Sequence, residues 1–184
     1  MNDQQTKQGP ATKFKRGSIE AAVFENHRDG KTWHNVSITR RYKNSSGYCA
    51  VVAEVEAVES VKVRKLTVVA DVGLAINPDG VANQLEGGAI QAASWTLLER
   101  VRFDRSRVTS TSWEDYPILR FSEVPEVEVH VLPSTSRESL GVGEIVAGPV
   151  AGAIGNALAA ALGVRVRDLP FTHDRVAEAI ERDG

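Results

Sequence analysis

The sequence predicts an α+β fold in which a mixed sheet packs against helices and is preceded by a small β-hairpin module. Three observations support this class. Residues 49–58 and 61–72 are rich in valine, as buried strands often are. Residues 77–79 (NPD) match the start of a helix. Gly163 follows a segment rich in alanine and glycine, where a helix would end.

The first 47 residues predict a disordered lead followed by a basic β module. Residues 1–11 are polar and contain Gly9-Pro10, which is typical of a disordered lead. Residues 12–47 contain two apolar runs, 19–24 and 33–39, separated by a turn signal at Asp29-Gly30. Residues 1–48 carry nine Lys/Arg against four Asp/Glu, whereas the rest of the chain carries thirteen against twenty. The module is therefore basic and precedes an acidic body.

Residues 48–184 form the predicted second domain. After a linker or turn at residues 44–47 (NSSG), the two valine-rich strands lead to a helix that is capped by Asn77 and runs to about Glu99. The remaining predicted elements are a strand and turn at 101–112, a strand at 127–132, a helix at 149–162, a short strand at 165–169 and a last helix from 172 or 173 to 181.

Several function classes lack support in the sequence. No run of eighteen apolar residues predicts a membrane span, and the polar N-terminus predicts a cytoplasmic protein unless a signal lies on a segment that is missing here. Cys49 is the single cysteine, so an internal disulfide cannot form, and the four histidines are scattered. The basic hairpin leaves one alternative open, a non-enzymatic module that binds nucleic acid or protein.

One face of the predicted helix at 78–99 carries an unusual set of residues. The face carries Gln84 and, three, four and seven positions after it, Gly87, Gly88 and Gln91. Each glycine costs the helix about 1 kcal/mol relative to alanine, so both indicate a close approach of something to the backbone. A large polar ligand and a tight helix packing contact explain the pattern equally well.

Residues 141–144 (GVGE) are the second candidate for chemistry. The two glycines permit a bend and a close backbone approach, and Glu144 precedes apolar residues. A carboxylate in a dry setting has a raised pKa and could serve as a general base. A solvent-facing loop glutamate is the alternative. Residues 113–117 (WEDYP) could likewise line a pocket or form a surface loop with buried rings.

Taken together, these segments resemble the molybdopterin-binding large subunits of the xanthine dehydrogenase and aldehyde oxidase family, in particular the isoquinoline 1-oxidoreductase and nicotinate dehydrogenase branch. The resemblance spans about residues 41–180 and rests on six segments in family order. They are residues 48–55 (YCAVVAEV), 71–80 (DVGLAINPDG), 84–88 (QLEGG), 115–119 (DYPIL), 125–129 (PEVEV) and 141–144 (GVGE).

This resemblance implies a role for each candidate residue. Glu144 would be the catalytic base, while Gln84, Gly87 and Gly143 would bind the cofactor, with no metal ligand from the protein. The implied cofactor is molybdenum–molybdopterin in its cytosine dinucleotide form, with iron–sulfur clusters on a partner subunit. The implied reaction oxidises an aromatic N-heterocycle or aldehyde with oxygen from water. Because the family's subunits are several times longer, the remainder of the large subunit is a further expected partner, and the chain alone is expected to be inactive.

Overall fold

The computed structural model describes residues 12–16, 19–28, 31–40, 47–57, 61–134 and 138–183, with side chains from Gly47 onward. The predicted disordered lead at 1–11 and the turn at Asp29-Gly30 lie outside these residues. Nothing in the described part is a helix both long and apolar enough to cross a bilayer.

Six strands form one mixed sheet in which their spatial order follows the chain. Neighbouring strands pair antiparallel from the first to the fifth, and the sixth pairs parallel to the fifth. The mixed sheet predicted from the sequence is thus confirmed. The strands are β1 Thr12–Arg16, β2 Ile19–Arg28, β3 Lys31–Arg40, β4 Tyr48–Ala57, β5 Val61–Asp71 and β6 Glu126–Val131.

The predicted N-terminal hairpin is confirmed as the antiparallel pair β2–β3. β3 continues the sheet by pairing with β4, from Val36 opposite Ala53 to Thr39 opposite Ala50. Strands on both sides of the predicted boundary at residue 47 therefore share one sheet. The division of the chain into two domains at that point remains a prediction.

In the described ranges, three α-helices accompany the sheet: α1 Pro78–Leu97, α2 Ala147–Leu162 and α3 His173–Asp183. The predicted start of α1 is confirmed, since the Asn77 side chain accepts a hydrogen bond of 3.0 Å from the Gly80 amide. Gly163 ends α2 in the left-handed conformation at φ 75°, as its position predicted. Each end of the three helices thus lies within two residues of the position predicted from the sequence.

The helices α1 and α2 lie side by side on one face of the sheet. α1 packs against β5 and β6, α2 packs against β3 and β4, and the two helices contact each other. α1 is the crossover that a parallel β5–β6 pair requires. Alternate residues of β5 point into this layer and are fully or almost fully buried, namely Val63, Leu66, Val68 and Ala70.

Two predicted strands are absent from the described structure. Residues 101–112 form no strand and contain one isolated bridge, between Phe103 and Val108. A tight turn separates these two residues, since the Asp104 side chain accepts hydrogen bonds from the Ser106 and Arg107 amides. Residues 165–169 connect α2 to α3 without a strand. Both segments have alternating apolar residues, but neither meets a neighbouring strand with which to pair.

Candidate functional site

The second and third turns of α1 meet the start of α2 near the C-terminal end of β5. The chain turns out of β5 at Gly73, whose φ of 63° is in the left-handed region and whose amide donates to the Asp71 carboxylate at 3.1 Å. Leu74 then donates its amide to Glu138 O at 2.8 Å, which draws the segment before residue 141 to the same place. The second and third turns of α1, the start of α2 and the 141–144 turn are thereby grouped.

Three hydrogen bonds from other parts of the chain fix the 141–144 turn. The Gly47 amide donates to Gly141 O at 2.7 Å, and the Leu140 amide donates to Val72 O at 2.9 Å. From α1, Gln84 Nε2 donates to Gly143 O at 2.8 Å. This last bond joins the two segments that the sequence singled out for chemistry, although they are 59 residues apart.

The hydrogen bond also decides how the Gln84 carboxamide is oriented. A carbonyl oxygen can only accept, so the amide nitrogen must face Gly143. The Gln84 side chain is exposed, and its Oε1 remains available as an acceptor for a group outside the chain.

The two adjacent glycines of α1 have different roles. A Cβ added at Gly88 would lie only 2.8 Å from Val146 Cγ1, so Gly88 is needed for the contact between α1 and the start of α2. A Cβ added at Gly87 would meet no atom within 4 Å. The packing explanation therefore holds for Gly88, while Gly87 has no packing reason within the described residues.

Gly143 resembles Gly87 in this respect. A Cβ at Gly143 would also meet no atom within 4 Å. Among the described glycines, only Gly73 and Gly163 have positive φ, so the bend at 141–144 does not depend on a glycine-only conformation. The prediction that the glycines at 141 and 143 are needed for a bend that other residues resist is therefore wrong. What remains is the open space beside the backbone of Gly143.

The Glu144 side chain is exposed, and its backbone oxygen accepts from the Ala147 amide at 3.3 Å where α2 begins. The dry setting expected for this carboxylate is not provided by the described residues. Glu144 nevertheless follows directly on the residue that Gln84 holds, so it lies beside the α1 face and not apart from it. Its role as a base stays a prediction.

Sequence reasoning missed Gly47, which it assigned to a linker. Gly47 is buried, and a Cβ there would lie 2.8 Å from Asp71 O and 3.2 Å from Gly141 O. The close passage of three backbone segments therefore requires glycine. A glycine directly before a strand was the available signal, but it does not reveal which backbone comes close.

The aromatic and acidic cluster at 113–117 does not line this site. Tyr116 donates its hydroxyl to Glu99 at 2.8 Å, and this hydrogen bond raises the pKa of Tyr116. Trp113 is 76% exposed, so the expectation of a loop with buried rings is met only in part. The cluster instead ties the segment after α1 to the C-terminal end of that helix.

The other candidates for chemistry have structural surroundings. Cys49 is buried, and its burial raises the pKa of the thiol to about 12, which makes it unreactive. On the sheet surface, His130 Nε2 lies 2.9 Å from Glu128 Oε1. Within the described ranges, no group of three or more His, Cys, Asp or Glu side chains is arranged to hold a metal ion.

Comparison with known proteins identifies the family. Residues 5–125 match the model of the molybdopterin cofactor-binding domain. The chain belongs to this family. The match begins well before residue 41, where the sequence resemblance was expected to begin, and it includes the strands β1–β3. It does not favour the alternative of a separate nucleic-acid-binding module.

Two relatives are much longer than this chain. It is 41% identical over 124 residues to a nicotinate dehydrogenase subunit of Pseudomonas putida, covering 67% of this chain and 10% of that protein. It is 35% identical over 130 residues to the beta subunit of isoquinoline 1-oxidoreductase of Brevundimonas diminuta, covering 69% of this chain and 16% of that protein. The chain thus spans less than a fifth of either relative.

Solved structures agree with the fold. Quinoline 2-oxidoreductase from Pseudomonas putida 86 superposes with a TM-score of 0.61 at 28% identity, over 84% of this chain and 21% of that chain. The aldehyde oxidoreductase from Desulfovibrio desulfuricans superposes with a TM-score of 0.64 at 27% identity, over 72% of this chain and 15% of that chain. The α+β arrangement described above is the fold of one part of these enzymes.

Proposed function

We propose that this chain supplies one part of the molybdenum–molybdopterin site of a hydroxylase that oxidises an aromatic N-heterocycle or an aldehyde, and that it does not turn over alone. The observation that carries the proposal is the 2.8 Å hydrogen bond from Gln84 Nε2 to Gly143 O. It gathers the α1 face, the 141–144 turn and Glu144 into one surface at the edge of the sheet. Membership in the molybdopterin cofactor-binding domain family supports the same assignment.

The residues fit a large flat cofactor. Gly87 and Gly143 both border space in which a Cβ would meet no described residue within 4 Å, so a ligand can approach both backbones. Gln84 offers its free Oε1 beside them. The N-terminus of α2 lies directly after the 141–144 turn and favours a negatively charged group, such as a phosphate of the cytosine dinucleotide form.

In the proposed reaction, the substrate C–H bond is replaced by C–OH with oxygen from water, and two electrons and two protons are released. A bound molybdenum–molybdopterin would supply the acceptor for the two electrons, and iron–sulfur clusters on a partner subunit would be their next acceptor. Gln84 holds the 141–144 turn, and Glu144 takes a proton at its carboxylate oxygen. Because Glu144 is exposed in this chain, the cofactor and the rest of the subunit must supply its dry setting. We place this assembly in the cytoplasm.

Substitution of Gly87 by leucine tests the cofactor assignment. Gly87→Leu keeps the helix and fills the proposed cofactor space, whereas Glu86→Leu adds the same side chain at an exposed neighbour that points elsewhere. The chain is purified from a host that makes the cofactor, and molybdenum and pterin are measured per chain. We expect Gly87→Leu to retain roughly a tenth or less of the pterin bound by the wild type, which corresponds to a loss of about 1.4 kcal/mol or more of binding free energy.

Equal pterin in the wild type, Gly87→Leu and Glu86→Leu would contradict the proposed cofactor surface. The purified chain is also assayed with an aromatic aldehyde and an N-heterocycle. Turnover by the wild-type chain alone would refute the claim that it is inactive by itself, without affecting the cofactor assignment.

A further inference from the structure

The segment that follows α1 exposes much of the apolar surface of the protein. Six of the twelve exposed large hydrophobic residues in the described ranges lie within residues 100–121, which we call the arm. Phe103 is 77% exposed and Phe121 is 98% exposed. Clustered exposed apolar side chains mark a surface that binds a partner. The six are Val101, Phe103, Val108, Trp113, Ile118 and Phe121.

The arm has a defined conformation. Asp104 accepts hydrogen bonds from the Ser106 and Arg107 amides at 2.7 and 3.0 Å, and Thr109 donates its amide to Arg102 O at 2.8 Å. Further along, Leu119 donates its amide to Ser94 Oγ of α1 at 3.0 Å. A preformed surface loses less conformational entropy when it binds.

The arm is also strongly basic at its tip. Residues 100–108 contain four arginines and one aspartate, and all four arginines are exposed or partly exposed. None of the four is ion-paired with another described residue. A partner surface that fits this tip is therefore apolar and bordered by carboxylates.

A concave surface adjoins the second half of the arm. A groove of about 580 Å³ has Leu97, Leu119, Val124 and Phe171 among its lining residues. The arm leaves α1 at its C-terminal end, whereas Gln84 lies well over three turns earlier, about 20 Å away along the helix axis. The arm and the proposed cofactor surface are thus separate parts of the molecule.

Two observations identify the partner. A symmetric pair of copies whose two-fold axis passed through the arm would place the arginines of one copy against those of the other, which like charges oppose. The solved relatives contain this fold as only 15% and 21% of one chain, so most of each relative is further polypeptide that can cover its faces.

We propose that the arm is the docking surface for the remaining part of a molybdenum-binding subunit, which presents an apolar surface bordered by carboxylates to it. This rests on the proposed function, because it takes the chain to be one part of such a subunit. Phe103 and Val108 supply the apolar contact, and the four arginines pair with the carboxylates.

The test uses a defined probe. The Pseudomonas putida nicotinate dehydrogenase subunit, with the 124 residues that this chain matches removed, is co-expressed with this full chain in a host that cannot make molybdopterin. We expect the two to co-purify and the truncated subunit to be insoluble without this chain. Assembly is read without cofactor, so a failure of the cofactor experiment above would leave this result intact.

Matched variants locate the contact. Phe103→Asp should weaken the complex roughly 30-fold or more without altering the fold, since its side chain is largely exposed. The pair Arg105→Glu and Arg107→Glu should weaken it roughly tenfold at low salt. The pair Arg165→Glu and Arg167→Glu, with the same charge change on another exposed surface, should have no effect.

Several outcomes would overturn the proposal. One is a complex that Phe103→Asp and the arm arginine variants leave unchanged. Another is self-association of the wild type, seen by sedimentation and abolished by Phe103→Asp, which would make a second copy the occupant. Salt-sensitive binding of single-stranded DNA through the arginines would assign the arm to nucleic acid. If this probe is not captured, the equally truncated beta subunit of isoquinoline 1-oxidoreductase is tried, and failure with both refutes the proposal.

Discussion

The adjacent glycines of α1 provide a direct test of which surface of the helix faces a ligand. Gly87→Ala introduces a methyl group into open space, so the chain gains only the helix preference of alanine, roughly 1 kcal/mol. For a chain of this size, that gain raises the Tm by about 2–4 °C. Such a gain would show that no packing among the described residues requires glycine at this position.

Gly88→Ala is the matched control one residue later. Its Cβ would lie 2.8 Å from Val146 Cγ1, and Val146 is 1% exposed and cannot move aside. Overpacking of this kind costs about 1–3 kcal/mol, against the same gain of roughly 1 kcal/mol in helix preference. We therefore expect the free energy of unfolding of Gly88→Ala to be about 1–3 kcal/mol lower than that of Gly87→Ala.

Urea denaturation of the purified chain, followed by far-ultraviolet circular dichroism, measures both free energies of unfolding. A loss of stability in Gly87→Ala would mean that this position packs within the chain and would refute the argument for open space. Equal stabilisation by both substitutions would refute the close contact between α1 and α2.

Three further predictions concern the turn, the arm and the sheet surface. Gln84→Glu removes the donor to the turn carbonyl, so amide hydrogen exchange at residues 141–147 should become faster, whereas Gln91→Glu, with the same charge change on the same helix, should leave it unchanged. Asp104→Ala should speed exchange of the amides at residues 106 and 107, and Asp104→Asn, which keeps an acceptor oxygen, should preserve more of their protection. On the sheet surface, the hydrogen bond from Lys65 lowers the pKa of the Glu128 carboxyl below its ordinary value of 4.5. This ion pair therefore contributes stability above about pH 4.5, and the contribution is lost as the pH falls through the lowered pKa. Lys65→Met should therefore flatten the dependence of the urea midpoint on pH below about 4.5, and an unchanged dependence would show that the pair contributes nothing.

Much of the fold was predictable because its signals are local. Asn77 and Pro78 mark the start of α1 by capping and fixed φ, and Gly163 marks the end of α2 by its left-handed conformation. Valine-rich β4 and β5 lie in the middle of the sheet, where buried strands were expected. Residues 101–112 failed as a strand because pairing depends on a neighbour that local pattern does not specify.

The candidate site was predictable only as two separate segments. The helical period placed Gln84, Gly87 and Gly88 on one face, and the order of motifs pointed to Glu144. Whether a position on that face meets packed atoms or open space depends on what lies across from it. That is a property of the assembled chain, and it separated Gly87 from Gly88.

The sequence by itself determined the valine-rich strands β4 and β5, the helix ends, the family motifs and the residue types available for chemistry, since each has a strong signal within a few residues. Only the tertiary structure brought Gln84 to Gly143, buried Gly47 among three backbone segments and left Glu144 and the arm exposed. The physical reason is that the surroundings of a side chain come from segments distant in sequence, and the local periodicity of the sequence does not specify how those segments pack.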